Sequence, residues 1–273
     1  MSLYYDDGQV ALYHEDCVDF MADAIQGGAP ECTIVTDPPY GDTNLKWDRT
    51  PDGDWLLLAA QFSRSLWCFG SLRFWLTENR KFTEAGWRYA QEVVWEKHNG
   101  SSFHADRFKR VHEFAVHWYR DKWSTLYKKP QTTPDAKALT MRRKRRPPHM
   151  GSIGASSYRS EDGGPRLMRS VLYVRSEHGR AVHPTQKPLD ILRPLIAYST
   201  PPGGLVFDPF AGSGSTLIAA RELGLRAIGV EAREEYCEAA ARRLEHSQLL
   251  VGHILHDQML KLFGVSQMTD QAA

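Results

Sequence analysis

Short runs of β-branched and aromatic residues alternate with helical stretches along most of this 273-residue chain, and that alternation constrains the fold more than any other feature. Residues 9–14 (QVALYH) read as a strand and residues 17–26 as a helix. Cys32–Thr36 (CTIVT) reads as a strand that stops at Asp37-Pro38-Pro39-Tyr40, because proline has no N–H to give a ladder. Helices over 54–66 and 72–85 bracket a strand at Leu66–Phe69, and strands follow at 90–95 and 113–119. The rhythm resumes with a helix over Pro188–Ser199, a strand over Gly204–Phe207 and a helix over Gly214–Leu223. A strand over Ala227–Val230, ending at Glu231, and a helix over Glu234–Glu245 complete it. Strands alternating with helices predict an α/β fold with a doubly wound, mostly parallel sheet, whose ligands bind beyond the carboxyl ends of the strands.

Between about 120 and 180 the pattern fails. Lys/Arg, Pro, Gly and Ser crowd together there, so residues 1–119 and 181–273 are expected to form one domain interrupted by an insertion over 120–180. The whole chain carries 34 Lys+Arg against 33 Asp+Glu, a net charge of +1. Residues 120–150 alone are net +8, which leaves −7 on the rest. A basic block of that size calls for an anionic partner. With 42% hydrophobic and 25% charged residues, the composition excludes disordered, collagen-like and coiled-coil classes.

Cys17, Cys32, Cys68 and Cys237 are scattered, with no CxxC or Cys/His cluster, so reduced thiols in a cytosolic setting are expected and no metal site is. His246, His253 and His256 read as ordinary residues of a terminal helix. The acidic N-terminus lacks the basic and apolar regions of a signal peptide, and no run of about 18 apolar residues reads as a membrane span.

Two motifs fall at strand ends. In FDPFAGSGST (207–216), a strand runs into Asp208 and a loop of small residues, where Gly212 and Gly214 permit a tight turn and close approach to a ligand. No Lys follows Gly214, which excludes a P-loop, and Leu217 stands where a GxGxxG dinucleotide fingerprint needs its last glycine. The loop suits a nucleoside carrying a charged amino-acid-like tail, with Asp208 facing its ammonium and Glu231, just after the next strand, facing ribose hydroxyls. In the second motif, Asp37 can accept from an exocyclic amino group, Pro38 and Pro39 leave carbonyl oxygen free as a further acceptor, and Tyr40 offers a face for stacking a base.

Together with His183-Pro184-Thr185-Gln186-Lys187-Pro188-Leu189, these motifs resemble the amino-methylating DNA methyltransferases that use S-adenosylmethionine. Their order, with Asp-Pro-Pro-Tyr first, the insertion next and the glycine loop last, is similar to the beta class. The resemblance implies a Rossmann-like methyltransferase fold with 120–180 as the target-recognition insertion. It implies Asp37, Pro38, Pro39 and Tyr40 as the catalytic residues around a flipped base. Asp208, Phe210, Gly212, Gly214, Ser215 and Glu231 would hold the cofactor, with Asp16 near its adenine and Thr185 and Lys187 lining its pocket. Arg142, Arg143, Lys144, Arg145 and Arg146 would contact duplex DNA. Trp95-Glu96-Lys97 and His112-Glu113 resemble framework positions of the same group.

The implied activity is methylation of adenine N6 in duplex DNA, in a prokaryotic or phage-infected cytoplasm, without a metal. Cytosine N4 is the near alternative, although relatives acting there more often carry Ser at position 37. An RNA or protein-amide methyltransferase and a catalytically inactive DNA-binding module are the further ones. A homodimer and a cognate restriction endonuclease are partners that the resemblance leaves open.

Overall fold

The computed structural model of the protein describes residues 2–101, 105–143, 156–177, 179 and 186–247. The chain opens with two antiparallel strands, β1 (Ser2–Asp6) and β2 (Val10–His14). The Asp7 carboxylate makes the turn between them by accepting the Gln9 and Val10 N–H groups at 2.9 and 2.8 Å. Helix α1 (Cys17–Gln26) starts at Asp16, whose Oδ1 accepts the Val18 N–H at 2.8 Å. Strand β3 (Cys32–Thr36) follows, then α2 (Asp54–Phe62), β4 (Ser63–Gly70) and α3 (Leu72–Glu84). Two long strands, β5 (Arg88–Ser101) and β6 (Arg110–Tyr119), pair antiparallel.

Residues Lys129–Ser170 form a separate unit. Within it β7 (Thr132–Thr133) pairs with β10 (Arg166–Leu167), and β8 (Leu139–Arg143) pairs with β9 (Ser156–Ser160), both antiparallel. The rest returns to the first unit through β11 (Val171–Tyr173), α4 (Leu189–Ser199), β12 (Leu205–Asp208), α5 (Ser215–Glu222), β13 (Arg226–Glu231) and a helix α6 over 234–247.

Among the described residues nine strands form one sheet in the order β1-β2-β13-β12-β3-β4-β6-β5-β11. Strands β2, β13, β12, β3 and β4 run parallel, as does β11 beside β5, so the sheet is mostly parallel. Alternation along each strand divides the core between its two faces. Val35, Trp67, Phe69 and Val206 pack with Ile191, Leu195, Leu217 and Leu244 of α4, α5 and α6. Their sequence neighbours Ile34, Leu66, Cys68 and Phe207 pack with Phe20, Met21, Leu56, Ala59, Phe74 and Phe82 of α1, α2 and α3. Helices on both faces of a mostly parallel sheet make this the doubly wound α/β fold expected from the alternation.

Several boundaries differ from expectation. Helix α2 ends at Phe62 rather than at 66, because Ser63 turns to extended backbone (φ −132°, ψ 145°) and starts β4. Strand β1, absent from the sequence reading, is an edge strand held by β2 alone. Strands β5 and β6 are longer than expected, each extending the other's ladder. The separate unit is narrower than 120–180, because Val171, Leu172 and Tyr173 pair with Val94, Trp95 and Glu96 in the main sheet. All four cysteines are buried and free. Among the described residues no helix is long and apolar enough to cross a membrane.

Candidate active site at the carboxyl ends of the strands

Register places four strand ends side by side. Glu231 pairs with His14, and Asp208 with Gly229, so the ends of β2, β13 and β12 line up, with β3 next to β12. Beyond them opens a cavity of about 960 Å³, at the upper end of the ~300–1,000 Å³ usual for small-molecule sites. Asp16, Asp37, Pro38, Pro39, Tyr40, Asp208, Phe210, Gly212, Ser215, Glu231 and Lys187 line it. Its walls carry eight carboxylates against five cationic side chains, a balance that favours a cationic ligand.

The small-residue loop is shaped by the backbone. Ala211 N–H donates to the Val230 carbonyl at 2.8 Å, drawing the loop onto the end of β13. Gly212 N–H donates to Glu231 Oε2 and Arg233 N–H to Oε1, both at 2.9 Å, so the carboxylate is fixed from both sides. Gly214 adopts the left-handed conformation (φ 72°) just before α5, and a Cβ there would lie 3.2 Å from Ala240 Cβ. Gly229 is needed for packing, since a Cβ there would lie 2.8 Å from Leu217 and 2.9 Å from Ala211. Asp208 is 2% exposed; its Oδ1 accepts the Thr36 hydroxyl at 2.7 Å and the Phe210 N–H at 3.1 Å. Burial pushes its carboxyl up to about 6, against hydrogen bonds from Thr36 and Thr216. Burial likewise raises Glu231, against the two backbone donors.

Thr36 is the residue immediately before Asp37, so that hydroxyl ties the glycine-loop motif to the Asp-Pro-Pro-Tyr motif. Asp37 stands just past β3 with its carboxylate 19% exposed. Its Oδ1 accepts the Tyr40 hydroxyl and its Oδ2 accepts the Lys187 ammonium. Burial lifts Asp37 above the ordinary carboxylate value, against Lys187 and Tyr40. The Tyr40 ring packs 5.4 Å from that of Phe74. After it the chain loops back onto Asp48, whose carboxylate accepts the Gly41 N–H at 2.9 Å and the Thr43 N–H at 2.7 Å.

A scan against protein families matches residues 32–242 to the DNA methylase model of N6/N4 methyltransferases. The chain belongs to the DNA methylase family. The Type II methyltransferase M2.DpnII of Streptococcus pneumoniae is 26% identical over 276 residues, spanning 89% of this chain and 92% of that protein. The crystal structure of the M1.HpyAVI–SAM complex superposes with a TM-score of 0.60 at 26% identity, covering 86% of this chain and 98% of that one. The cytosine-N4-specific PvuII DNA methyltransferase shares the fold, with a TM-score of 0.59 over 88% of each chain at 15% identity.

In this DNA methylase, the residues expected at the site reach the cavity from distant parts of the chain. Lys187 lines it, but its ammonium is bound to Asp37 and lies 3.5 Å from Glu113 Oε2. Asp16 spends Oδ1 on the α1 cap while still lining the cavity. Thr185 lies outside the described residues, as do Lys144, Arg145, Arg146, His253 and His256. Arg142 is exposed on β8, and Arg143 closes that strand. Asp48 and the charged roles of Lys97 and Glu113 were not read from the sequence. Glu113 precedes an apolar run and Asp48 sits in a polar loop, so neither stands out without its tertiary neighbours. Among the described residues no group of His, Cys, Asp and Glu could hold a metal ion.

Proposed function

We propose that the protein transfers a methyl group from S-adenosylmethionine to the N6 amino group of an adenine turned out of duplex DNA. The observation that carries this reading is the shared cavity. Asp37 of the Asp-Pro-Pro-Tyr motif opens into the same space as Asp208, Gly212, Ser213 and Glu231, and Thr36 bonds one motif to the other. The lining fits the cofactor, since an excess of carboxylates suits a molecule bearing a sulfonium and an ammonium, and Glu231 is pre-set by two backbone donors. Glu231 would hold its ribose, Asp208 and the Gly212 turn its methionine portion, and Asp16 its adenine end. When bound, S-adenosylmethionine supplies an electrophilic methyl group.

The protein's residues supply orientation and proton handling. A base within a duplex presents its amino group edge-on, so it must leave the stack, at a cost of a few kcal/mol. Tyr40 offsets that cost by stacking on the base. Asp37 would accept a hydrogen bond from the amino group, which aims the nitrogen lone pair, and would take the proton that nitrogen releases as the methyl carbon bonds to it and parts from the sulfonium sulfur, whose leaving group is a neutral thioether. Positioning and preorganised electrostatics do the rest. Asp37, in place of the Ser more frequent among cytosine-N4 relatives, favours adenine. The PvuII likeness, at 15% identity, carries the fold and not the base. The Lys129–Ser170 unit, with Arg142 to Arg146, would contact DNA.

Incubation with methyl-labelled S-adenosylmethionine and mixed-sequence duplex DNA, followed by digestion to nucleosides, tests this. Label in N6-methyladenosine is expected. Label confined to N4-methylcytosine transfers the assignment to that base, and label only in RNA or protein ends it. D37A should abolish transfer while changing cofactor affinity less than about threefold; a lost affinity would reverse the roles of the two motifs.

A further inference from the structure

Three charged side chains from three separate segments meet beneath Asp37. Lys187, 6% exposed, binds Asp37 and lies 3.5 Å from Glu113 of β6. Glu113, 13% exposed, is paired on its other side with Lys97 of β5. Burial would raise Glu113, but Lys187 and Lys97 outweigh it and hold it below the ordinary glutamate value. Burial would likewise lower Lys187, but Asp37 and Glu113 outweigh it and leave the ammonium charged. Glu113 Oε2 is buried without a hydrogen-bond donor, and the Lys187 ammonium lies 3.5 Å from it.

Such a cluster contributes little to folding. Desolvating paired charges cancels much of their attraction, and well-packed apolar residues commonly do as well or better. Its position points elsewhere. We propose that Lys187, held by Glu113, is a positioning residue that fixes the Asp37 carboxylate and balances its charge, so that Asp37 meets the substrate amino group as an acceptor. This rests on the methyl-transfer reading above and moves Lys187 from the cofactor pocket to the machinery of the acceptor.

The groups facing Asp37 set the expected pH behaviour. Lys187, from the segment before α4, and the Tyr40 hydroxyl favour its ionised form. Burial and Glu113 oppose it, Asp208 on β12 and Cys68 on β4 lie within electrostatic reach, Lys97 acts on both Asp37 and Glu113, and Arg110 acts through Glu113. Burial already prevails with Lys187 in place, and without Lys187 it meets less opposition, so Asp37 should titrate at still higher pH, by about one unit or more.

The test compares wild type with K187M and K187R in the full-length protein. Single-turnover methylation of duplex DNA is followed across acidic to alkaline pH, S-adenosylmethionine affinity by calorimetry, and the Asp37 carboxyl by carbon-13 NMR, assigned with D37N. In K187M the rate at neutral pH should fall about 100-fold or more. The acid limb and the NMR midpoint should both rise by about one unit, with cofactor affinity within about threefold of wild type. K187R should restore most of the rate and return the limb. Equal loss at every pH with an unmoved midpoint would overturn the proposal, as would loss of cofactor affinity. Should K187M melt early, K187Q repeats the comparison without the charge. If the wild type labels no DNA, the proposed function fails, while the NMR midpoint still decides the role of Lys187.

Discussion

Asp208 carries opposing demands in one side chain. It lies at the end of a buried strand, where a charge is costly, and it faces a cavity that suits a cation. Its carboxyl titrates at about 6 in the fold instead of the ordinary 3.8, because burial outweighs the hydrogen bonds from Thr36, Thr216 and Phe210. The folded state therefore binds the proton more tightly than the unfolded chain. The stabilisation from that proton is complete below about 3.8 and is lost as pH rises through about 6. Its full size is on the order of 3 kcal/mol. Denaturant unfolding of the cofactor-free protein should show stability falling over that window, and D208N, which keeps an oxygen for Thr36, should flatten the fall. An equal slope in both proteins would mean that Asp208 does not titrate there. On the proposed reading, in which Asp208 meets the cofactor's methionine portion, cofactor binding should show a pH dependence of the opposite sense, since an ammonium prefers the ionised form and affinity should weaken below about 6.

At the scale of elements, a buried ion pair joins the two ends of the described chain. Arg221 on α5 donates to Asp7 at 2.7 Å with both side chains under 10% exposed, and also to the Leu244 carbonyl of α6 at 2.7 Å. Asp7 makes the β1–β2 turn at the same time, so one carboxylate fixes a hairpin and orients a helix. Removing it strands a guanidinium in the core, and D7A should cost about 3–5 kcal/mol in urea unfolding. D7N, which keeps the turn oxygen but not the charge, separates the two contributions; no loss in D7N would place the stability in the turn. Nothing local marks this pair, with 214 positions between its members. What was legible was whatever the chain states locally. Cys32–Thr36 stops at prolines, and Gly214 supplies the tight turn before α5. The edge strands β1 and β11 escaped notice because they are short and half-exposed, so burial imposes little pattern on them. The resemblance marked Lys187, Lys97 and Glu113, but their convergence on Asp37 was illegible for the same reason as the pairing of Arg221 with Asp7. Nothing in the sequence around Lys187, Glu113 and Lys97 pairs them until the sheet brings β5, β6 and the segment before α4 together near the end of β3.

The whole molecule is close to neutral only on average, because +8 on residues 120–150 offsets −7 elsewhere. An α/β domain of that sign repels DNA at long range, so approach to the duplex depends on the basic segment. Within the Lys129–Ser170 unit, Arg142 pairs with Ser157 and Thr140 with Arg159, which puts both arginines on one face of a two-stranded ribbon. Leu139, Met141 and Tyr158 occupy the alternate positions. A ribbon of two strands fits the major groove, and side chains at its face reach phosphates or base edges. Each phosphate contact contributes about 0.9 to the fall of log K with log salt. Replacing Arg142, Arg143, Lys144, Arg145 and Arg146 with Gln should thus lower the salt slope of DNA binding by as much as about 4.5, and weaken binding most at low salt. Cofactor affinity and the melting of the α/β domain should stay as they are, since those residues lie outside it. A slope that does not change would remove this segment from the DNA contact and leave its charge without a partner. A slope that changes together with cofactor affinity would make the two units energetically one, and the division of charge between them would no longer be a division of labour.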